Sequence, residues 1–380
     1  MMLGLRYMGV LGVSLAMLLA GSLGFAAQSG PGGSQMRQVR IGFNSAIDQI
    51  AVPAAVDQGF YEAHGLDAKL APPFASGVDA LNALLAGTVD FVHVGAPLMG
   101  ALLSGMDVVY IGNYTGTAAK VRADDTFSMV ARQGSGIDPK NLATLKGKKI
   151  ASTLGSTNHL WVINILASKG ITPDQVTLIN TAPPDMPVAL QTGGVDAVVC
   201  WDPWPVIAKR TVAGAYEVMR GGGYVANVGF MVTRREFADK NPDVVTRFLL
   251  ARAEADMWVR KNPDETVQIA TRWIPGTNVE VARESMNVVK KLLDPRISAC
   301  NLVAMQEEMD FTIQVKGTKP TAGFNVLNNV RPEFILEVIK KRPDLVAGLA
   351  PIPQAAVLAS NSPTAWKSWN RDAAAKACKN

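Results

Sequence analysis

Residues 150–159 read Ile150-Ala151-Ser152-Thr153-Leu154-Gly155-Ser156-Thr157-Asn158-His159. A short apolar run ends at Thr153, a glycine and small polar residues follow, and a helical pattern runs from about Asn158 to Lys169. A strand that passes into a helix through one tight turn is the joint from which α/β folds are built. The first N–H groups of a helix have no intrahelical partner and lie at the positive end of its dipole, so the joint favours an anion. The Ser156 and Thr157 hydroxyls add donors beside it. In open α/β sheets this joint sits at the carboxyl ends of the strands, where ligands bind. An ordinary helix cap would use the same residue types, so the motif alone leaves both readings open.

On either side the same alternation continues. Before it, strands are predicted at 39–43, 68–71, 89–94 and 108–112, with helices at 51–58, 77–85 and 98–103. Around it, strands are predicted at 127–131, 150–153, 176–179, 195–200, 216–219 and 228–232, with helices at 158–169, 186–191 and 206–210. Two such blocks predict two α/β lobes, each with a mostly parallel sheet flanked by helices. From Pro242 apolar residues fall at helical spacing, with helices expected at 244–260, 265–273, 279–293 and 332–340. The tail after Ala350 is rich in Pro and Ala and carries no clear pattern.

The chain has 380 residues, enough for two lobes, and its 48% hydrophobic and 18% charged composition is that of a folded protein. Arg6, an apolar run over 10–19 and small residues to Ala27 match a secretory signal peptide spanning 1–26, followed by a flexible leader over 27–36. The apolar run is shorter than the ~20 residues of a spanning helix. Export implies an oxidising compartment. The three cysteines are Cys200, Cys300 and Cys378. Their odd number leaves one thiol over, and whether Cys300 pairs with Cys378 stays open. Without a CxxC pair, and with three histidines in all, no metal site is expected. The net charge of +5 is scattered, and the cluster at Lys146, Lys148 and Lys149 reads as a solvated turn rather than a nucleic-acid surface.

Two further motifs lie at strand ends. Cys200-Trp201-Asp202-Pro203-Trp204-Pro205 brings two indoles and a carboxylate out of an apolar strand, a combination suited either to a cleft wall or to core packing. His93-Val94-Gly95-Ala96-Pro97 ends another strand with residues small enough for close approach to backbone.

The ordered set ALLAGTVDFVHVG (83–95), TLKGKKIASTLGSTNH (144–159), ASKGITPDQVTLIN (167–180), GGVDAVVCWDPW (193–204) and TRREFADKNPDVVTRFLLA (233–251) resembles the periplasmic solute-binding proteins of ABC importers for taurine, aliphatic sulfonates and nitrate. The resemblance implies a two-lobed periplasmic binding protein type II fold with a helical C-terminal region. Lobe one would hold 37–126, completed by 230–380, and lobe two 127–229. The strands 127–131 and 228–233 would form the hinge. It further implies a monomer that closes on a small anionic solute and presents it to permease subunits in the inner membrane, without cofactor, metal or catalysis. The implied ligand set is Asn44, Ser45, Asp48, Gly95, Ala96, Asn113, Tyr114, Ser156, Thr157, Asn158, His159, Trp201, Asp202 and Asn227. Ser156 and Thr157 would be the main anion donors, and His159 would either touch the ligand or brace the helix start. Cys200 would be a buried apolar residue.

A taurine receptor needs an acid for the ammonium on its return segment, and here 224–228 reads Tyr-Val-Ala-Asn-Val. Asp48 or Asp202 would have to substitute; otherwise a sulfonate, nitrate, pyrimidine or aromatic acid is equally expected. Same-fold enzymes are the competing class, a sulfinate-cleaving hydrolase or a pyrimidine synthase. The first loop, Asn44 to Asp48, lacks the cysteine such a hydrolase places there, and the Cys- and His-rich cluster of the synthase is absent. Cys200, His159 and Asp202 supply the residue types for a nucleophilic set without fixing its geometry.

Overall fold

Val39, Ile41, Phe91, Val92 and Val94 are all fully buried, as strands must be when helices cover both faces of their sheet. The computed structural model describes residues 36–317, 320–359 and 365–379. The expected signal peptide, and all of the leader except Met36, lie outside the described residues.

The first sheet contains β1 (Arg37–Gly42), β2 (Leu66–Leu70), β3 (Phe91–Val94), β4 (Val108–Thr115) and, from far along the chain, β10 (Gly229–Arg234). Its order is β2-β1-β3-β10-β4. The second sheet repeats the plan with β5 (Phe127–Ala131), β6 (Lys149–Ser152), β7 (Thr177–Asn180), β8 (Ala197–Trp201) and β9 (Tyr216–Arg220), in the order β7-β6-β8-β5-β9. Each sheet is therefore mixed. β10 runs antiparallel to β3 and β4, and β5 antiparallel to β8 and β9. The reason lies in the chain path. The other strands point their carboxyl ends at the cleft, whereas β5 and β10 are the strands on which the chain enters a lobe from the cleft side.

The segments that cross between the sheets are 116–126 and 221–228. The strands expected to form the hinge lie inside the sheets instead, each paired on both edges. The two crossings are tied together. The Asp124 carboxylate accepts from the N–H groups of Gly223 and Tyr224, and Asn227 Nδ2 donates to the Ala123 carbonyl at 3.0 Å.

Beyond β10 the chain is helical. The helix Pro242–Lys261 packs on the helices Ala51–Asp57 and Phe60–Ala63, and its Phe248 ring stacks on Phe91 at 3.9 Å between centroids. The 18-residue helix Ala299–Lys316 has no counterpart in the sequence reading. Its first turns, Ala299 to Met305, are buried all round, so no 3.6-residue stripe marks them. A disulfide joins Cys300 to Cys378 with Cα atoms 5.5 Å apart and closes a loop 78 residues long, worth about 2–5 kcal/mol. It holds the C-terminal helix Arg371–Ala377 beside the first crossing, where Val121 N donates to the Cys378 carbonyl. Ser298 Oγ and Asn301 Nδ2 donate to the carbonyls of Ala118 and Thr117 in the same segment. Among the described residues no helix is long and apolar enough to cross a membrane.

Candidate functional site

Strand carboxyl ends from both sheets converge on one narrow cavity of about 40 Å³, lined by Asn44, Ala46, Asp48, Gln49, Gly77, Gly95, Pro97, Tyr114, Phe127, Ser156, Thr157, Trp201 and Asn227. Lobe one supplies the loop after β1, the ends of β3 and β4, and the start of the helix Gly77–Leu85. Lobe two supplies Phe127, the joint after β6, and Trp201 at the end of β8. Asn227 comes from the return crossing.

At the joint, Ser156 is the cap of the helix Thr157–Ser168 but makes no side-chain cap bond, which leaves that helix start open to a ligand. The Ser156 hydroxyl turns inward and donates to the Thr153 carbonyl at 2.5 Å, in contact with Asn158 Oδ1. Thr157 Oγ1 accepts from Ala96 N at 3.0 Å, which leaves its own proton to donate. The donors left free on this side are thus the Thr157 hydroxyl and the helix N–H groups; Ser156 lines the wall with its hydroxyl already engaged. The Trp201 indole N–H is buried without a partner.

Six residues of the expected set do not line the cavity. Asn158 is fully buried and donates to Ser152 Oγ and the Val199 carbonyl, bracing the joint from behind. His159 Nδ1 accepts from Gly155 N at 3.2 Å, so it braces the helix start, and burial holds its pKa below the ordinary value. Asn113 contacts the Tyr110 hydroxyl and the Arg296 carbonyl. Sequence reading ended its strand at Gly112; β4 runs to Thr115, and neighbouring strand residues point to opposite faces, so Tyr114 alone meets the cleft. Asp202 is buried and ion-paired with Arg220 at 2.7 Å. Ser45 and Ala96 serve through backbone: the Ser45 carbonyl accepts from Trp204 Nε1 at 2.8 Å. Ala46, Gln49, Gly77, Pro97 and Phe127 line the wall without having been anticipated. Pro97 ends the His93–Pro97 motif, and Gly77 reaches the wall at the start of a helix that Ser76 caps.

The lobes touch across the cleft. Ile47 N donates to the Asp202 carbonyl at 3.1 Å, and Glu284 pairs with Lys209 and Arg210. A Cβ on Gly95 would lie 2.5 Å from Thr157 Oγ1, so glycine is what lets the walls meet.

Among the described residues no Lys, Arg or His lines the cavity, and no group of His, Cys, Asp or Glu is arranged to hold a metal. The one ionisable carboxyl on the wall, Asp48, is pushed up to about 7, first by burial and then by the Asp202 carboxylate across the cleft. Cys200 is fully buried, and burial raises its thiol well above the usual range.

This arrangement, two mixed sheets joined by two crossings around a polar cleft, defines a two-lobed solute-binding fold. The chain belongs to the NMT1-like family, whose pattern it matches over residues 32–274. It is 28% identical over 316 residues to a putative aliphatic sulfonates-binding protein of Bacillus subtilis, covering 80% of this chain and 89% of that one. Other relatives bear nitrate/nitrite- and taurine-binding names. The alkanesulfonate-binding protein SsuA of Xanthomonas axonopodis pv. citri, solved bound to MOPS, superposes with a TM-score of 0.67 at 23% identity over 77% of this chain and 97% of that one. The fold is also that of the desulfurization enzyme DSZB, with a TM-score of 0.59 at 17% identity over 80% and 99% of the two chains.

Proposed function

We propose that this chain is the periplasmic substrate-binding component of an ABC importer, a monomer that closes on a small solute with a sulfonate-like anionic group and presents it to permease subunits in the inner membrane. Taurine, other sulfonates and nitrate are the solutes in view. The observation that carries the reading is the open helix start at Thr157, on the same lobe-two wall as the unpartnered Trp201 indole N–H, in a cavity that both lobes enclose. Backbone and neutral donors of this kind stabilise an anion by fixed dipoles without a basic side chain. Closure then couples binding to a conformational change the transporter can read.

Binding rather than catalysis is supported by the state of the nucleophile candidates. Cys200 does not reach the cavity, the Ser156 proton is committed inward, and the His159 ring nitrogen that would act as base is engaged by Gly155 N. Thr157→Val removes a donor and leaves the helix intact. Calorimetry on the best-binding anion of a sulfonate, nitrate and aromatic-acid panel should show a loss of about 1–3 kcal/mol, the range of a hydrogen bond to a charged group. An unchanged affinity would remove the helix start from the site.

A further inference from the structure

The buried polar atoms left without partners on the two walls of the cavity differ in hydrogen-bonding sense. The lobe-one loop presents acceptors: Asp48 Oδ1 and Asn44 Oδ1 are both buried, and neither has a partner. Lobe two presents donors: the unpartnered Trp201 Nε1, the Thr157 proton and the first N–H groups of its helix. No basic side chain lies on either wall among the described residues. A solute carrying only an anion would satisfy the donors and leave a buried carboxyl facing a like charge, which is costly on both counts. A solute with a cationic donor at its other end satisfies both walls at once.

Resting on the solute-binding reading above, we infer that the site selects a small zwitterion, its anionic group held at the start of the helix Thr157–Ser168 and its protonated amine held by Asp48 with help from Asn44. Asp48 is then the residue that sets specificity. It takes the part of the acid missing from 224–228 by approaching the amine from the opposite lobe. Asp202 does not share the task, because Arg220 already holds it.

The pH dependence separates the two ligand types. Asp48 is faced by the Asp202–Arg220 pair, Tyr114, Cys200 and the Thr115 hydroxyl; burial and then the Asp202 charge push its carboxyl up to about 7, with the Thr115 hydroxyl acting the other way. An ammonium needs the carboxylate, so zwitterion affinity falls as pH drops through 7. A bare anion prefers the protonated acid, so its affinity rises over the same interval.

The test is calorimetry on the full chain with two matched pairs, taurine against ethanesulfonate and β-alanine against propionate, at pH 8 and pH 6, for the wild type and Asp48→Asn. At pH 8 the wild type should prefer the amine member of at least one pair tenfold or more. That preference should shrink at pH 6, and in Asp48→Asn the two members should come within threefold. Equal binding of both members by the wild type at pH 8, or a preference that survives Asp48→Asn, overturns the inference. If only anions without an amine bind, the zwitterion inference falls while the solute-binding reading stands. If no anion binds at all, both fall.

Discussion

Asp256→Ala should lower the unfolding free energy by about 3–5 kcal/mol, because it leaves Arg252 as an uncompensated charge in the core. The two residues sit four apart on the helix Pro242–Lys261, both fully buried, 3.3 Å from guanidinium nitrogen to carboxylate oxygen. Arg252 Nε and Nη1 have no other partner, so no protein group takes over when the carboxylate is removed. The nearby His93 and Tyr61 cannot help: the imidazole is held neutral, down to about 3, by burial and then by Arg252, and the phenol keeps its proton. Denaturant titration should show a lower midpoint with an unchanged slope. The double replacement Arg252→Met with Asp256→Leu should recover most of the loss, since an apolar pair of similar volume carries no desolvation cost. A loss below about 1 kcal/mol for the single variant would mean that the pair is not buried as described.

Gly95→Ala should weaken solute binding by about 1–3 kcal/mol while leaving the melting temperature of the ligand-free protein nearly unchanged. The added methyl meets nothing closer than 3.8 Å except the hydroxyl of Thr157, 2.5 Å away on the other lobe. Its backbone is not in the left-handed region, so alanine is tolerated within lobe one itself. The strain therefore appears when the lobes meet, where it also displaces the Thr157 oxygen from Ala96 N. Calorimetry and a thermal melt on one sample separate the two effects. Undiminished affinity would show that binding does not need this contact.

The architecture was legible because the α/β alternation is local: nearly every strand of both sheets carries its own apolar run. What sequence could not supply came from elsewhere in the chain. β5 and β10 are antiparallel because of the route by which the chain enters each lobe, and no property of 127–131 or 229–234 encodes that route. The helix Ala299–Lys316 escaped because burial on all sides erases periodicity. In the site, the joint after β6 marked itself by its glycine and hydroxyls, but which hydroxyl faces the cleft depends on partners. Ser156 finds the Thr153 carbonyl and turns away, whereas Thr157 meets the other lobe. Asn113 and Tyr114 differ by one residue of strand length. Asp48 and Asp202 look alike in sequence, and Arg220 alone makes one a structural ion pair and leaves the other facing the cavity.

A larger groove, of about 580 Å³, lies between the helices Thr157–Ser168 and Ala299–Lys316, lined by Arg122, Tyr224, Phe311 and the acids Glu307, Glu308 and Asp310. Its one basic side chain, Arg122, is already paired with Glu307, so size alone does not make it the site. A crystal structure of the protein with its tightest-binding sulfonate decides between them. The sulfonate oxygens should lie within hydrogen-bonding distance of Thr157 Oγ1 and Trp201 Nε1, between closed lobes. Density for the solute in the groove beside Phe311, with the inter-lobe cavity unaltered, would contradict the account.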